Sequence, residues 1–484
     1  MLKRFSINSL FYLLGMLLNR GLGFLLLPLY IHYLTPTDYG LLAICAATSA
    51  VFGILAGPPL ESSVSLFYFK LERNEYKKFL GTVLLWKLVV PLFWVILLEF
   101  VGPVLTSLFL PTVLWHPYLK LAVWIGYLGM ASSTFLELLK AEQRAPTFTV
   151  FTVLFLLINI SLPIYFIAVR HQGALGSLYG QVIAAAIVAL ISHGAVVYYS
   201  RLRLEWRYLR DALKLCLPYV PHVLCMWVLN ISDRWILGHF VPLFLLGIYN
   251  LAYSLGVTIQ LFGESLAYSF QPLYYENASQ ISFRTKLPKL LAIFLLLQTW
   301  VALAVSVFSP EILRIMAKPD YYKAATLIPW IAVGYLFLSG IYQPAVIVLT
   351  YYKRTKWMIL LSGPSALFNV VLNWLFIPRY GILAAAINTT LACMLIAVLA
   401  VYLSRKLDKL PFPWIKLGQM LFVAVATYWV GNIWFSPHSF GTVILIKGIL
   451  LTGAGILMAY IAGFDVRMAL ALLKGRQGIK VVGV

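Results

Sequence analysis

The sequence predicts an all-α polytopic membrane protein, and three observations predict it: composition, the spacing of apolar runs, and the placement of cations. Of 484 residues, 62% are hydrophobic and 11% charged, with a mean hydropathy of +0.89. A soluble domain carries about 25% charged residues. A helix crosses the hydrocarbon with about 20 predominantly apolar residues, and fourteen runs meet that need: 6–32, 40–67, 80–105, 117–140, 147–169, 174–200, 212–238, 243–273, 288–309, 323–351, 357–378, 381–404, 413–434 and 441–463.

The loops test this division independently, because cytoplasmic loops concentrate Lys and Arg. Of 37 such residues, Arg170, Arg314, Lys318, Lys323 and Arg379 fall in one set of alternate loops, and Arg20, Lys87, Lys120, Arg234 and Lys447 fall inside predicted spans. The rest lie in the opposite loops or at the ends of the chain, which predicts an even number of crossings with both termini in the cytoplasm. The formal net charge of +21 therefore reports topology and contact with anionic membrane lipids, and no nucleic acid is expected as a partner.

The first run begins like a secretory signal, "MLKRF", but extends to His32 without a small-residue cleavage site, so it reads as the first span. Cys45, Cys216, Cys225 and Cys393 sit in apolar segments without metal-ligand spacing and read as small core residues, with no disulfide framework. The seven histidines lack zinc-protease spacing, and no Gly-x-x-x-x-Gly-Lys loop is present. No cofactor, no metal and no ATP hydrolysis are expected, and the chain does not read as an enzyme.

Internal similarity divides the spans. "YLTPTDYGLLAI" after the first span resembles "HFVPLFLLGIYNLA" after the seventh, with Pro36 matching Pro242. Glu61 in "LESSVSLFY" matches Glu264 in "GESLAYSFQ", and Gly173 in "HQGALGSLYGQ" matches Gly381 in "RYGILAAAINT". The offsets, 206, 203 and 208 residues, nearly coincide. They predict two six-helix lobes, 1–205 and 206–408, followed by 409–484 with two extra helices and a tail. Because six is even, both lobes insert the same way up, as a parallel pseudo-repeat around a central cavity. Prolines inside predicted spans, among them Pro28, Pro58, Pro59, Pro91, Pro163, Pro218, Pro221, Pro272, Pro344 and Pro364, predict kinks.

"LPYVPHVLCMWVLNISDRWILGHFVPLFLLGIYNLAYSLG", residues 217–256, resembles the seventh and eighth helices of bacterial oligosaccharide flippases. These are the Wzx-like polysaccharide transporters of the multidrug/oligosaccharidyl-lipid/polysaccharide (MOP) superfamily. "NSLFYLLGMLLNRGLGFLLLPLYIHYLTPTDYGLLAI" is similar to their first helix and turn. The resemblance implies two lobes around a cavity that opens to one side at a time. It also implies an inner-membrane location and a lipid-linked oligosaccharide as substrate, a glycan on polyprenyl pyrophosphate turned from the cytoplasmic to the periplasmic leaflet. Polysaccharide polymerase and glycosyltransferases are the implied neighbours. Where family members often carry a basic residue near the end of the second helix, this chain reads "SLFYFK" and Lys70 comes later.

Such a transporter breaks no covalent bond; it must shelter a polar glycan and an anionic pyrophosphate from hydrocarbon, and intramembrane charges are the candidates. Arg20 sits roughly 21 Å into the first span, too deep to snorkel to either end, with Asn19 beside it. It reads as a pyrophosphate-binding cation, or as half of an ion pair with Glu61 or another acid. Arg234 and Asp233 either lock the periplasmic gate, with Arg234 assisting substrate binding, or anchor a helix end. Glu61 and Glu264 either couple transport to a proton or sodium gradient or form static salt bridges. Glu99 and Glu137 are weaker candidates, and Lys87, Lys120 and Lys447 are expected to snorkel. Tyr249 and Tyr253, at i and i+4, either stack on sugar rings or pack.

Three alternatives stand beside the flippase. A drug/cation antiporter of the same superfamily predicts an anionic cavity, against which Arg20 argues. A membrane glycosyltransferase or polymerase predicts large loops bearing carboxylates, whereas 274–287 and its counterparts are short and basic. A scaffold of a polysaccharide assembly complex needs no intramembrane charge.

Overall fold

In hydrocarbon the backbone must satisfy its own hydrogen bonds, and a chain this apolar does so as helix. The computed structural model describes residues 26–57, 60–433 and 439–464, which are helices joined by short turns with no strand among them. In chain order they are α1 (Leu27–Tyr33), α2 (Pro36–Ala56), α3 (Glu61–Tyr68), α4 (Arg73–Phe109), α5 (Lys120–Ala141), α6 (Ala145–Ile164) and α7 (Gly173–Tyr199). Then come α8 (Trp206–Cys216), α9 (Val220–Ile231), α10 (Asp233–Phe240), α11 (Leu243–Asn277), α12 (Ile281–Val307) and α13 (Ser309–Met316). The last are α14 (Ile328–Phe337), α15 (Gln343–Tyr351), α16 (Met358–Arg405), α17 (Trp414–Ile433) and α18 (Phe440–Ala462).

Eleven helical stretches among the described residues are long and apolar enough to cross a membrane. One of them, Thr355–Arg405, has 51 residues, roughly 77 Å of helix at 1.5 Å per residue. It breaks at Gly381, whose φ of +56° and ψ of −136° leave the helical region. That residue divides α16 into the two spans expected at 357–378 and 381–404. With α17, of 20 residues, thirteen of the fourteen expected spans have their helix; the first, 6–32, lies outside the described residues apart from its last turns.

Proline acts as expected at several places. Pro163 and Pro344 flank π-helical turns at Tyr165–Val169 and Leu338–Tyr342, where the helical ladder slips by one residue. Pro218 lies in a 3₁₀ turn between α8 and α9. Pro91 is carried within the 37-residue α4.

The chain forms two compact units. The first holds residues up to Leu251 with Met316–Tyr321 and Ala366–Ala385; the second holds Ala252–Ile315, Tyr322–Ser365 and the residues from Ala386 onward. In the first, Leu84, Phe135, Leu139, Phe148, Phe155, Val188 and Val196 form one core cluster. Phe100, Val104 and Leu108 of α4 remain exposed, as expected of a helix face turned to lipid, where apolar surface carries no penalty.

In the second unit α12, α17 and α18 pack through Leu296, Leu303, Val307, Met420, Leu451 and Met458, and the Trp300 indole N–H donates to the Leu451 carbonyl at 3.2 Å. Lys447 departs from expectation. It does not snorkel but is buried, donating to both Glu311 oxygens at 2.7 and 2.9 Å, to the Val307 carbonyl at 2.9 Å and to Asn432 Oδ1 at 2.8 Å. An acid within reach in α13 makes pairing cheaper than extension to the interface. Lys120, by contrast, stays partly exposed and meets Glu99 at 3.0 Å.

Lys447→Met, which leaves the Glu311 carboxylate buried alone, is expected to cost about 3–5 kcal/mol. Thermal unfolding of the purified protein checks this: Lys447→Met lowers the midpoint, and adding Glu311→Leu recovers most of the loss.

Candidate functional site

The stretch "NISDRW" joins α9 to α10 almost without a break, since Ser232 keeps φ −63° and ψ −23°. Residues 220–240 therefore run roughly 31 Å, enough to cross the hydrocarbon without α8. Adjacent helical residues project about 100° apart, yet here the two charges meet. Arg234 Nη1 donates to Asp233 Oδ1 at 2.6 Å and to the Asn230 carbonyl at 2.6 Å. Tyr249 of α11 donates its hydroxyl to Asp233 Oδ2, and the guanidinium carbon lies 5.6 Å from the centre of the Tyr249 ring. Asp233 is 1% exposed, Arg234 6% and Tyr249 0%. Arg234 does not snorkel: its charge is met by a carboxylate, a carbonyl and an aromatic face.

The surrounding end of the first unit is closed backbone to backbone. A Cβ on Gly247 would lie 1.8 Å from the Pro36 carbonyl oxygen, and one on Gly40 would lie 2.1 Å from that of Leu243. Only glycine permits α2 and α11 to cross so closely. Thr112 donates its hydroxyl to the Gly238 carbonyl. Tyr321 donates to the Leu34 carbonyl at 3.3 Å and meets the Tyr39 ring edge-on at 6.4 Å. The start of α2 is fixed by a capping box, in which Asp38 N–H donates to Thr35 Oγ1 and Thr35 N–H to Asp38 Oδ2, both at 3.2 Å.

A second polar cluster joins α3, α4 and α5. Lys87, expected to snorkel, is instead buried and paired with Glu61. Its ammonium also reaches Ser133 Oγ and Thr134 Oγ1 at 3.0 Å and the Met130 carbonyl at 3.3 Å, while Ser133 donates to Glu61 Oε1 at 2.6 Å. One turn along, the roles reverse: Ser65 donates to Glu137 Oε2 at 2.8 Å, and Lys140 meets Glu137 at 2.6 Å. Two carboxylates thus stand on a ladder of hydroxyls and lysines, deep at Lys87 and half-exposed at Lys140.

The other expected residues are placed as follows. Glu264, in the second unit, is half-buried and accepts from Gln260 Nε2 at 3.0 Å. Tyr253 is buried with its ring edge-on to Tyr335 at 5.6 Å, a packing contact. Arg20 and Asn19 lie outside the described residues. A cavity of about 580 Å³ in the first unit is lined by Phe52, Trp94, Leu105, Trp115 and Trp235 among others, a wall too apolar for a glycan.

Sequence reading missed Lys87, Ser133 and Thr134 as partners of Glu61, although an intramembrane Lys and Glu invite pairing. It also missed Ser362, Ser365, Asn369 and Asn373, all fully buried. Their spacing of three and four places them on one face of α16, a polar stripe visible in "LSGPSALFNVVLN".

Asp233→Ala, which strands the Arg234 charge, is expected to cost about 3–5 kcal/mol. Tyr249→Phe, which removes one donor from the carboxylate, is expected to cost about 1–3 kcal/mol. The order of the unfolding midpoints, wild type above Tyr249→Phe above Asp233→Ala, is the check; equal midpoints contradict the cluster.

The fold matches known transporters. Over 94% of this chain and 98% of the other, it resembles the lipid II flippase MurJ in an inward closed conformation, with a TM-score of 0.76 and 16% identity. An inward-facing multidrug resistance MATE family transporter of the MOP superfamily matches over 82% of this chain and 97% of its own, with a TM-score of 0.65 and 13% identity. The Vibrio cholerae MATE transporter VcmN matches over 84% and 98%, with a TM-score of 0.55 and 14% identity. A comparison with curated proteins finds no match. The MatE family model matches residues 218–375, and the model described as polysaccharide biosynthesis protein matches residues 6–272, more than half of the sequence. This multi-pass membrane protein belongs to the polysaccharide biosynthesis protein family.

Proposed function

We propose that the protein is a flippase that moves a polyprenyl-pyrophosphate-linked oligosaccharide from the cytoplasmic to the periplasmic leaflet of a bacterial inner membrane by alternating access. The family match over residues 6–272 carries this reading, and the likeness to a protein named as a lipid II flippase supports it. Residues 1–205 and 206–408 are the two lobes. Residues 409–484 add two helices and a cytoplasmic tail.

By the charge asymmetry of the loops, the turns at Leu34–Pro36 and Val241–Pro242 face the periplasm. The closed end built around Gly40, Gly247 and Tyr321 is then the periplasmic gate, and the Asp233–Arg234–Tyr249 cluster is its lock. Opening draws α2 away from α11 and uncovers Arg234 to assist the passing pyrophosphate. Arg20 and Asn19 receive the pyrophosphate first. Glu61, released from Lys87 by a proton or a sodium ion, couples the change in one lobe, and Glu264 does so in the other. Tyr249 and Tyr253 offer ring faces to the glycan only when the packing loosens. Polysaccharide polymerase and glycosyltransferases are the expected neighbours.

The MatE match over 218–375 favours a second reading, an ion-coupled antiporter of organic cations. One experiment separates the two. Liposomes carrying the purified protein are given a fluorescent polyprenyl-pyrophosphate oligosaccharide or a fluorescent organic cation. The flippase reading expects flipping of the glycolipid that Arg20→Ala slows by at least about tenfold and Arg20→Lys partly restores. Movement of the cation alone, driven by a proton or sodium gradient, overturns it in favour of the antiporter.

A further inference from the structure

The linker between α7 and α9 is more ordered and more cationic than a tether requires. Its first part, residues 201–205, lies as an extended strap across the start of α4. Arg201 N–H donates to the Lys77 carbonyl at 2.9 Å. Thr82 Oγ1 donates to the Arg203 carbonyl at 2.8 Å and accepts from Glu205 N–H at 3.1 Å. Gly81 makes the contact possible, since a Cβ there would stand 1.9 Å from the Arg201 carbonyl oxygen.

The second part, α8, has three faces. Tyr208, Leu209, Ala212 and Cys216 are buried in a core cluster with Leu60, Phe79, Leu80 and Leu138. Arg207, Arg210 and Lys214 follow one another at i, i+3 and i+7 and are all exposed, so they form a single cationic stripe. Trp206, Leu213 and Leu217 at i, i+7 and i+11 form an apolar stripe beside it; Trp206 is 67% exposed and Leu217 53%. Arg203 draws Glu205 to 3.5 Å, which leaves Asp211 as the acid on the outer side of α8. Residues 220–240 are long enough to cross the membrane without α8, which leaves α8 able to lie along its surface, where an exposed Trp and Leu belong in the hydrocarbon and the cations at the depth of the phosphates.

We propose that residues 201–217 form a binding site for anionic phospholipid headgroups of the surrounding bilayer. Arg207, Arg210 and Lys214 hold the lipid phosphates while Trp206 and Leu217 enter the acyl region. The clamp at Gly81 and Thr82 and the buried face of α8 fix both stripes on the first unit, so the lipid bears on a rigid part of the protein. Charge complementarity selects the occupant: an anionic headgroup neutralises the stripe, and a zwitterionic one brings its own cation against it.

The test uses the full-length protein purified in neutral detergent and mixed with phosphatidylglycerol or phosphatidylcholine, with retained lipid counted by native mass spectrometry. The wild type is expected to retain phosphatidylglycerol over phosphatidylcholine. The triple variant Arg207→Gln, Arg210→Gln, Lys214→Gln is expected to weaken that retention by at least about tenfold, whereas Arg314→Gln, Lys318→Gln, Lys323→Gln, which removes as many exposed cations elsewhere, leaves it unchanged. Trp206→Ser with Leu217→Ser, which alters no charge, also lowers it. Arg207→Lys with Arg210→Lys preserves it and serves as the readout if the triple variant does not fold. Equal loss from both triple variants reduces the effect to net charge and overturns the proposal. So does full retention in the α8 triple variant, or loss in the Lys variant.

Discussion

A charge carried into hydrocarbon has to be met within a few ångströms by an opposite charge or by oriented dipoles, and much of the interior is arranged to meet that demand. Lys87 gathers a carboxylate, two hydroxyls and a carbonyl. Lys447 gathers a carboxylate, an amide and a carbonyl. Arg234 has Asp233, the Asn230 carbonyl and the Tyr249 ring. The first two groups each join three segments of chain and act as rivets. The third joins a sequence neighbour to a tyrosine on another helix, so it alone depends on how α10 and α11 face each other. A rivet holds a rigid body together, while a pair completed by another helix makes that body's arrangement a condition of its own stability.

The same contrast separates the glycines. Gly81 and Gly180 let rigid neighbours approach: Gly81 meets the strap at Arg201, and a Cβ on Gly180 would meet the Pro163 backbone at 2.6 Å. Gly173 and Gly381 serve conformation instead, with φ of +55° and +56°, values that side chains avoid. These two are the pair matched at an offset of 208 residues, so their similarity in sequence is a similarity of turn.

The number and position of the spans were legible because each needs a run of apolar residues and each loop carries its own charge signature. Even the break at Gly381 fell where the hydropathy pattern places it. Burial was legible for Cys45, Cys216 and Cys393, which need only apolar surroundings, whereas Cys225, expected in the core with them, is only half-buried. The partners of the charges were not. Snorkelling and pairing make the same demand on a sequence, one cation near an apolar run, and differ only in whether another helix brings an acid alongside. For Lys87 that acid lies 26 residues away, and for Lys447 it lies 136 residues away. Periodicity within one helix reports neither. Tyr249 was singled out for its ring face, yet the structure uses its hydroxyl and its ring together, because the Asp233 carboxylate needs a donor that Arg234 leaves unsupplied. The strap at 201–205 escaped notice for a different reason: its alternation of Arg and Leu reads as a charged loop until Gly81 and Thr82 show that the backbone has a seat.

The crossing of α2 and α11 has a bearing on how such a chain can change over generations. Gly40 meets the carbonyl of Leu243 while Gly247 meets that of Pro36, so each helix contributes both a bare glycine and the backbone oxygen that the other glycine must accommodate. A side chain gained on either helix cannot be absorbed by trimming a bulky neighbour, because the obstacle is main chain, which substitution does not shorten. Drift at these two positions is therefore closed to single steps, and a descendant that abandons one glycine has to move the helices apart and find a different packing.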